Sequence, residues 1–522
     1  MDASVRAARG GNMHSKQVLR QLNTPPYSGR RELDFTPFAV ALAEGDMQRA
    51  AQLDDWVLRA SVAELRRALD TGQLTCRELA LACLRRIQRY ASLRAVGELN
   101  PDALALADAL DAELRAGKPR GELHGIPLLL KDNIATGDRM HNTAGAKALE
   151  SAGAPRDSFV AARLRAAGAL LLGKANLSEW ANYMSSQSAN GFSVLGGQVR
   201  NPYGRFDVSG SSSGSAAALA AGLAPLAVGT ETCGSLISPG AANSLAVLKP
   251  SRGLVSRDLI IPITSVTDTA GPMARSVADL APLFQAMTGA DPRDPSTAGA
   301  RPVCGVDCGQ FLDRSALQGM RVGWVSNLYV KPADRPLAEQ ARRVLSACGA
   351  ALVDLPLRHC VRWIDVEAVL SYGMQHDLNR YLAEVAGYAP LASLEEVIRF
   401  NAADLPNRAP FGQDILEGSQ ALTHTPEQHA ALARKVTSAA ADELRRLLAE
   451  ADVLVSLGGA LSKYHAIAGF PALTVPLGCR AGGKSQGLTF TAGHFEDGKV
   501  IAAAYAFEQA HPARRAPALL YI

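Results

Sequence analysis

The chain has 522 residues, 48% of them hydrophobic and 20% charged, ample apolar material for one large core or two ordinary ones. Its 54 basic residues stand against 50 acidic ones, and aromatics make up only 5%. The basic stripe with stacking aromatics that marks a nucleic-acid surface is missing, so that class of partner is set aside.

Residues 1–54 read as an N-terminal extension, partly flexible or helical, because the first thirty carry no sustained period. They also lack the unbroken apolar segment of a secretory signal. Order begins at Ser61, which has capping-box spacing to Glu64, with Leu65 and Leu69 on one helical face and Gly72 as the stop. Thr75 and Glu78 repeat the box and open a second helix through Leu79, Leu84 and Ile87; Asn100-Pro101 starts a third that ends near Gly117. From Ile126 onward, short apolar runs at 126–130, 169–172, 226–228, 322–324, 352–355, 453–455 and 473–475 alternate with helical or glycine-rich stretches. That alternation predicts an α/β architecture with a mixed, largely buried sheet. Residues 55–522 are expected to form a single domain. Within it, residues 304–425 are the least patterned and are expected to supply a variable cap of helices and loops over the active site.

The eight cysteines are Cys76, Cys83, Cys233, Cys304, Cys308, Cys348, Cys360 and Cys479. They form no CxxC and have no histidine cluster beside them, so no metal is expected. Their scatter fits a reducing, cytoplasmic setting. The best rival for a membrane span, residues 216–228, is too short and contains glycine and proline.

Two stretches stand out chemically. Asp207 to Ser235 reads DVSGSSSGSAAALAAGLAPLAVGTETCGS. Taken alone it is a flexible Gly/Ser loop followed by a small-residue helix, and a phosphate cradle would need a Walker lysine that is not there. His124 to Asn133 reads HGIPLLLKDN and ends a strongly apolar run on Lys131. A lysine there ordinarily marks a strand end reaching solvent, yet one desolvated among apolar residues can lose its proton and serve as a base.

Together these blocks resemble the amidase-signature family. The matching phrases are LHGIPLLLKDNI, GKANLSEWANY, RNPY, SGSSSGSAAALAAGLAPLAVGTETCGS, LKPSRGLVS, IPITSVTDTAGPMARSVADLA and IAGFPALTVPLG, in the family's order. The likeness is close over residues 60–300 and looser over 450–510, and is strongest to bacterial peptide-amidase-like members and to members that cleave aryl amides and urethanes. It implies an α/β amidase-signature fold, a mixed central sheet with helices on both faces, and no cofactor. It also implies that Lys131 is the family's lysine, and that Ser211 is the first serine of its pair, whose peptide bond is expected to be cis. Ser235 matches its nucleophile, and the separation of 24 residues between the two serines is the family's. Backbone N–H groups of Thr232, Cys233, Gly234 and Ser235 resemble its oxyanion hole. The implied mechanism is acyl transfer: neutral Lys131 takes a proton from Ser211, and Ser211 takes one from Ser235 as it attacks the carbonyl. No histidine takes part and no GxSxG elbow competes.

Two positions depart from the family's pattern. Cys233 stands where glycine is common, in a turn where backbone freedom matters, and is read as a pocket wall. Ile237 replaces a frequent arginine two residues after the nucleophile, which points to an apolar substrate neighbourhood. The expected activity is hydrolysis of small amides, such as peptide C-terminal amides and aryl amides, and of carbamates. One alternative makes urethane hydrolysis the main activity; another, of a different class, is the glutaminase component of a tRNA-dependent amidotransferase, which Ile237 argues against. The expected partner is a small amide or carbamate, with no membrane partner and a homodimer left open.

Overall fold

The computed structural model describes residues 16–44, 47–299 and 307–519; the first fifteen residues of the extension and Cys304 lie outside them. Both predicted capping boxes form: Ser61 and Glu64 close one at the start of Val62–Asp70, and Thr75 and Glu78 close the other on Cys76–Arg89. Each satisfies two orphan helix donors with side chains only three residues apart, which is why the spacing alone reveals them. The third helix is Ala103–Arg115.

Among the described residues there are thirteen strands, in chain order β1 Val96–Leu99, β2 Pro127–Lys131, β3 Leu170–Ala175, β4 Phe192–Ser193, β5 Gly197–Gln198, β6 Leu226–Glu231 and β7 Ala246–Lys249. Then come β8 Thr269–Ala274, β9 Arg321–Val325, β10 Ala351–Leu355, β11 Val453–Leu457, β12 Ala472–Cys479 and β13 Ser485–Thr491. Eleven of them form one mixed sheet in the order β1-β3-β2-β6-β8-β7-β12-β13-β11-β9-β10, while β4 and β5 pair separately. β3, β2 and β6 run parallel, as do β11, β9 and β10, with antiparallel pairs between the two blocks. Every residue of β2, β3, β6, β7 and β8 is buried. Successive side chains point to opposite faces, so a strand buried at every position is covered on both.

The segment expected to be a cap, 304–425, is divided. Residues 321–355 supply β9 and β10 to one edge of the sheet, because the apolar runs there are strands, β9 pairing in parallel with β11 and β10 with β9. The helices Trp363–Glu384, Leu394–Ala402 and Asp414–Gln420 build a second apolar core, which takes in Trp180, Tyr183 and Met184 together with Val366, Leu370 and Met374.

Candidate active site

Parallel pairing of β2 with β6 matches Leu130 to Val228, so the carboxyl ends of both strands reach the same edge of the sheet. Open α/β sheets carry their chemistry at such an edge. Lys131 is the last residue of β2 and is fully buried. Its Nζ lies 2.8 Å from Ser211 Oγ, 2.8 Å from Thr230 Oγ1 and 3.3 Å from the Thr230 carbonyl. Asn133 Nδ2 donates to the same Thr230 hydroxyl at 3.1 Å. Burial pushes the Lys131 amine down from 10.5 to about 7, while the Asp268 and Glu231 carboxylates pull it the other way. A side chain of this kind exchanges its proton near neutrality.

Ser211 follows a cis Gly210–Ser211 peptide bond, the position where a cis bond is expected. It is fully buried at the mouth of the helix Ser213–Ala220. The first turns of that helix pack closely through small residues: a Cβ on Gly214 would run into the carbonyl oxygens of Asn176 and Ala95. Ser212 fixes the loop to the end of β6, since its hydroxyl donates to the Thr230 carbonyl at 3.0 Å and accepts the Thr230 N–H at 3.2 Å. The Ser212 N–H donates to the Ser235 carbonyl at 3.2 Å. These backbone-directed bonds bring the Ser211 loop alongside Ser235.

Beyond β6 the chain turns through Thr232, Cys233 and Gly234 to Ser235 and enters the helix Ile237–Ala242. The buried Glu231 closes this turn by accepting the N–H groups of Leu236 at 2.7 Å and Ile237 at 3.1 Å. Thr232 Oγ1 donates to Asp268 Oδ1 at 2.5 Å, and Asp268 Oδ2 accepts the N–H groups of Ile263 and Thr264. Burial pushes the Asp268 carboxyl up to about 6 against the pull of those hydrogen bonds and of Arg257. Cys233 and Ser235 are the half-buried members of the turn, while Thr232 and Gly234 are buried. The left-handed conformation falls on Gly234, at φ 94°, and not on Cys233, so a side chain at 233 costs no backbone strain. Burial pushes the Cys233 thiol up to about 12. Ile237 is fully buried.

Three partners of this site are not singled out by the sequence reading: Thr230, Asn133 and Asp268. The first two sit inside the quoted motifs, Thr230 before the turn and Asn133 beside Lys131. Asp268 reaches the site because β8 pairs antiparallel with β6, Glu231 opposite Thr269. Among the described residues, no three His, Cys, Asp or Glu side chains gather so as to hold a metal ion, and no helix is long and apolar enough to cross a membrane.

The sheet order and its covering helices define an α/β enzyme of the amidase class. The family model described as Amidase matches residues 78–457, and the chain belongs to the amidase signature family. It is 36% identical over 478 residues to a protein of Arabidopsis thaliana described as a probable amidase, over 88% of this chain and 92% of that one. It is 34% identical over 484 residues to one component of the glutamyl-tRNA(Gln) amidotransferase of Halorhodospira halophila, over 86% and 96%. The crystal structure of native peptide amidase from Stenotrophomonas maltophilia is similar at a TM-score of 0.85 and 41% identity, over 88% and 99%.

Proposed function

We propose that the protein is a free-standing serine amidase in which Ser235 attacks the carbonyl, Ser211 relays the proton and Lys131 is the base. The observation that carries this reading is the 2.8 Å contact of a fully buried Lys131 Nζ with Ser211 Oγ. Neutral Lys131 accepts the Ser211 proton as Ser211 takes that of Ser235, and the Ser235–acyl bond forms. The relay returns a proton to the amine as the C–N bond breaks. Water then enters by the reverse route and releases the acid. Backbone N–H groups of Thr232, Cys233, Gly234 and Ser235 hold the oxyanion, braced by the bonds of Glu231 and Asp268 to the same turn.

Peptide C-terminal amides, aryl amides and carbamates are the proposed substrates, the likeness to the Stenotrophomonas peptide amidase favouring the first. The helices over 363–420 are the proposed selecting wall: Tyr183 and Met184 pack on them, and Ala181 of the same segment lines a small cavity with Asn133, Thr230, Thr232 and Asp268. A glutaminase role within an amidotransferase is the second reading, favoured by the Halorhodospira relative. The buried apolar Ile237 beside the nucleophile speaks against it. The purified chain, alone, is assayed for ammonia or amine release from a peptide amide, an acyl anilide, an aryl carbamate and free glutamine. Peptide amide turnover is expected. Glutamine as the sole substrate would replace the first reading with the second.

A further inference from the structure

Residues 16–31 lie as a strap across the loops that carry Ser211. A short helix over 16–22 leads into extended chain. Gln17 Oε1 accepts the Asn190 N–H at 2.9 Å, and Gln21 Nε2 donates both to the Asn190 carbonyl and to Asp207 Oδ1 at 2.9 Å. Further along, the Ser28 N–H and hydroxyl donate to Asn407 Oδ1 at 2.8 and 2.9 Å. Tyr27 meets Phe192 edge-on, and Phe192 meets Phe411 in the same way.

Both anchors of Gln21 lead to Ser211. The Asp207 carboxylate accepts the Ser209 N–H at 2.9 Å, two residues before Ser211. Asn190 precedes Gly191, whose N–H donates to Ser178 Oγ at 2.8 Å, and the Ser178 N–H donates to the Ser211 carbonyl at 3.0 Å. Asn190 Nδ2 also donates to Asp207 Oδ1 at 3.2 Å and Gln198 Nε2 to the Asn190 carbonyl at 2.7 Å, so Gln21 reinforces, from the extension, two already joined routes that hold Ser211 from its amino side and at its carbonyl.

We propose that Gln21 is a positioning residue for Ser211, acting through Asp207 and Asn190, so that the strap sets how well the serine relay is aligned. The inference rests on the assignment of Ser235 and Ser211 to the relay. Small misplacements of a reacting group cost rate steeply while leaving the fold alone.

The test measures labelling of the full-length chain by a fluorophosphonate, which forms a serine O–P bond and releases fluoride. The maximal labelling rate, the probe's half-saturating concentration and the thermal midpoint are recorded for wild type, Gln21→Met, Gln21→Lys, Arg20→Met and Ser235→Ala. Gln21→Met keeps the size and removes the donor; it is expected to slow maximal labelling by roughly threefold to tenfold, with half-saturation and midpoint nearly unchanged. Gln21→Lys restores a donor to Asp207 and is expected to recover the rate. Among the described residues Arg20 bonds the 186–188 segment, so Arg20→Met is expected to label like wild type. Equal rates for Gln21→Met and wild type, equal losses for Gln21→Met and Arg20→Met, or no recovery in Gln21→Lys overturn the inference alone. Labelling that persists in Ser235→Ala overturns the site assignment and the inference with it.

Discussion

Replacing Lys131 by methionine should stop turnover and yet stabilise the protein near neutral pH. In the unfolded chain the amine titrates near 10.5, and in the folded site burial brings it to about 7. Between those values the unfolded chain binds the proton more tightly than the folded one, so stability from this group rises with pH across that window. Each pH unit is worth about 1.4 kcal/mol. The penalty on wild type is thus roughly 4 kcal/mol at pH 7, about 2 at pH 9 and below about 1 at pH 10. Methionine fills similar space without that penalty. It forfeits the bonds to Ser211 and to Thr230, each worth about 1 kcal/mol net, although the Thr230 carbonyl keeps its Ser212 donor. The neighbouring Asp268, raised to about 6, is already ionised over most of this range. The assay is urea unfolding of wild type and Lys131→Met at pH 7, 8, 9 and 10, and the difference cancels the other titrating groups. The mutant's advantage should shrink by roughly 3 kcal/mol from pH 7 to 10. A flat difference would show an ordinary charged lysine, and the proton relay built on it would fall.

Ser235→Ala should cut turnover by on the order of a thousandfold or more with an unchanged thermal midpoint; more than a few per cent residual activity would make another group the nucleophile. Cys233→Gly should leave substantial activity and alter the preference for bulky acyl groups in a substrate panel, because it removes a side chain beside the proposed oxyanion donors. Complete inactivation with intact folding would instead bring the thiol into the chemistry. Lys131 and Asn133 both donate to the Thr230 hydroxyl, which leaves the lone pair of a neutral Lys131 for the Ser211 proton. Thr230→Val should turn a Lys131 N–H onto Ser211 and lower kcat by on the order of tenfold to a hundredfold, with Thr230→Ser restoring it; wild-type kcat in the valine variant rules out this role.

What was legible in the chain is what depends on near neighbours. The boxes at Ser61 and Thr75 close over three residues, and β2, β3 and β11 are apolar because both their faces are covered. β8 reads TAGPMA and β13 reads SQGLTFT, with too few large apolar side chains to stand out; their strand character comes from partners on both sides. The strands within 304–425 had the apolar runs but not the order that places them at a sheet edge. The contact of Lys131 with Ser211 and the approach of the Ser211 loop to Ser235 were expected because the family's motifs carry these residues; their roles are the proposal made above. Asp268 was not, since only the pairing of β6 with β8 delivers its carboxylate to Thr232. The contacts of Gln17 and Gln21 span some 170 residues, and no local pattern announces them.

The meeting of Lys131 with Thr230 at the ends of two adjacent parallel strands has a consequence for redesign. Their separation is fixed by the hydrogen-bond ladder of the sheet, where a slip of one residue would turn every side chain to the opposite face. Among the described residues, the helices over 363–420 make no hydrogen bond to Lys131 or Thr230. Chimeras that exchange residues 363–420 for those of another family member should therefore change which amides are accepted while leaving the acid limb of the pH–rate profile where it was. Such a graft leaves the contacts of Lys131 in place, whereas changes at Thr230, Ser211 or Asp268 reach its proton chemistry.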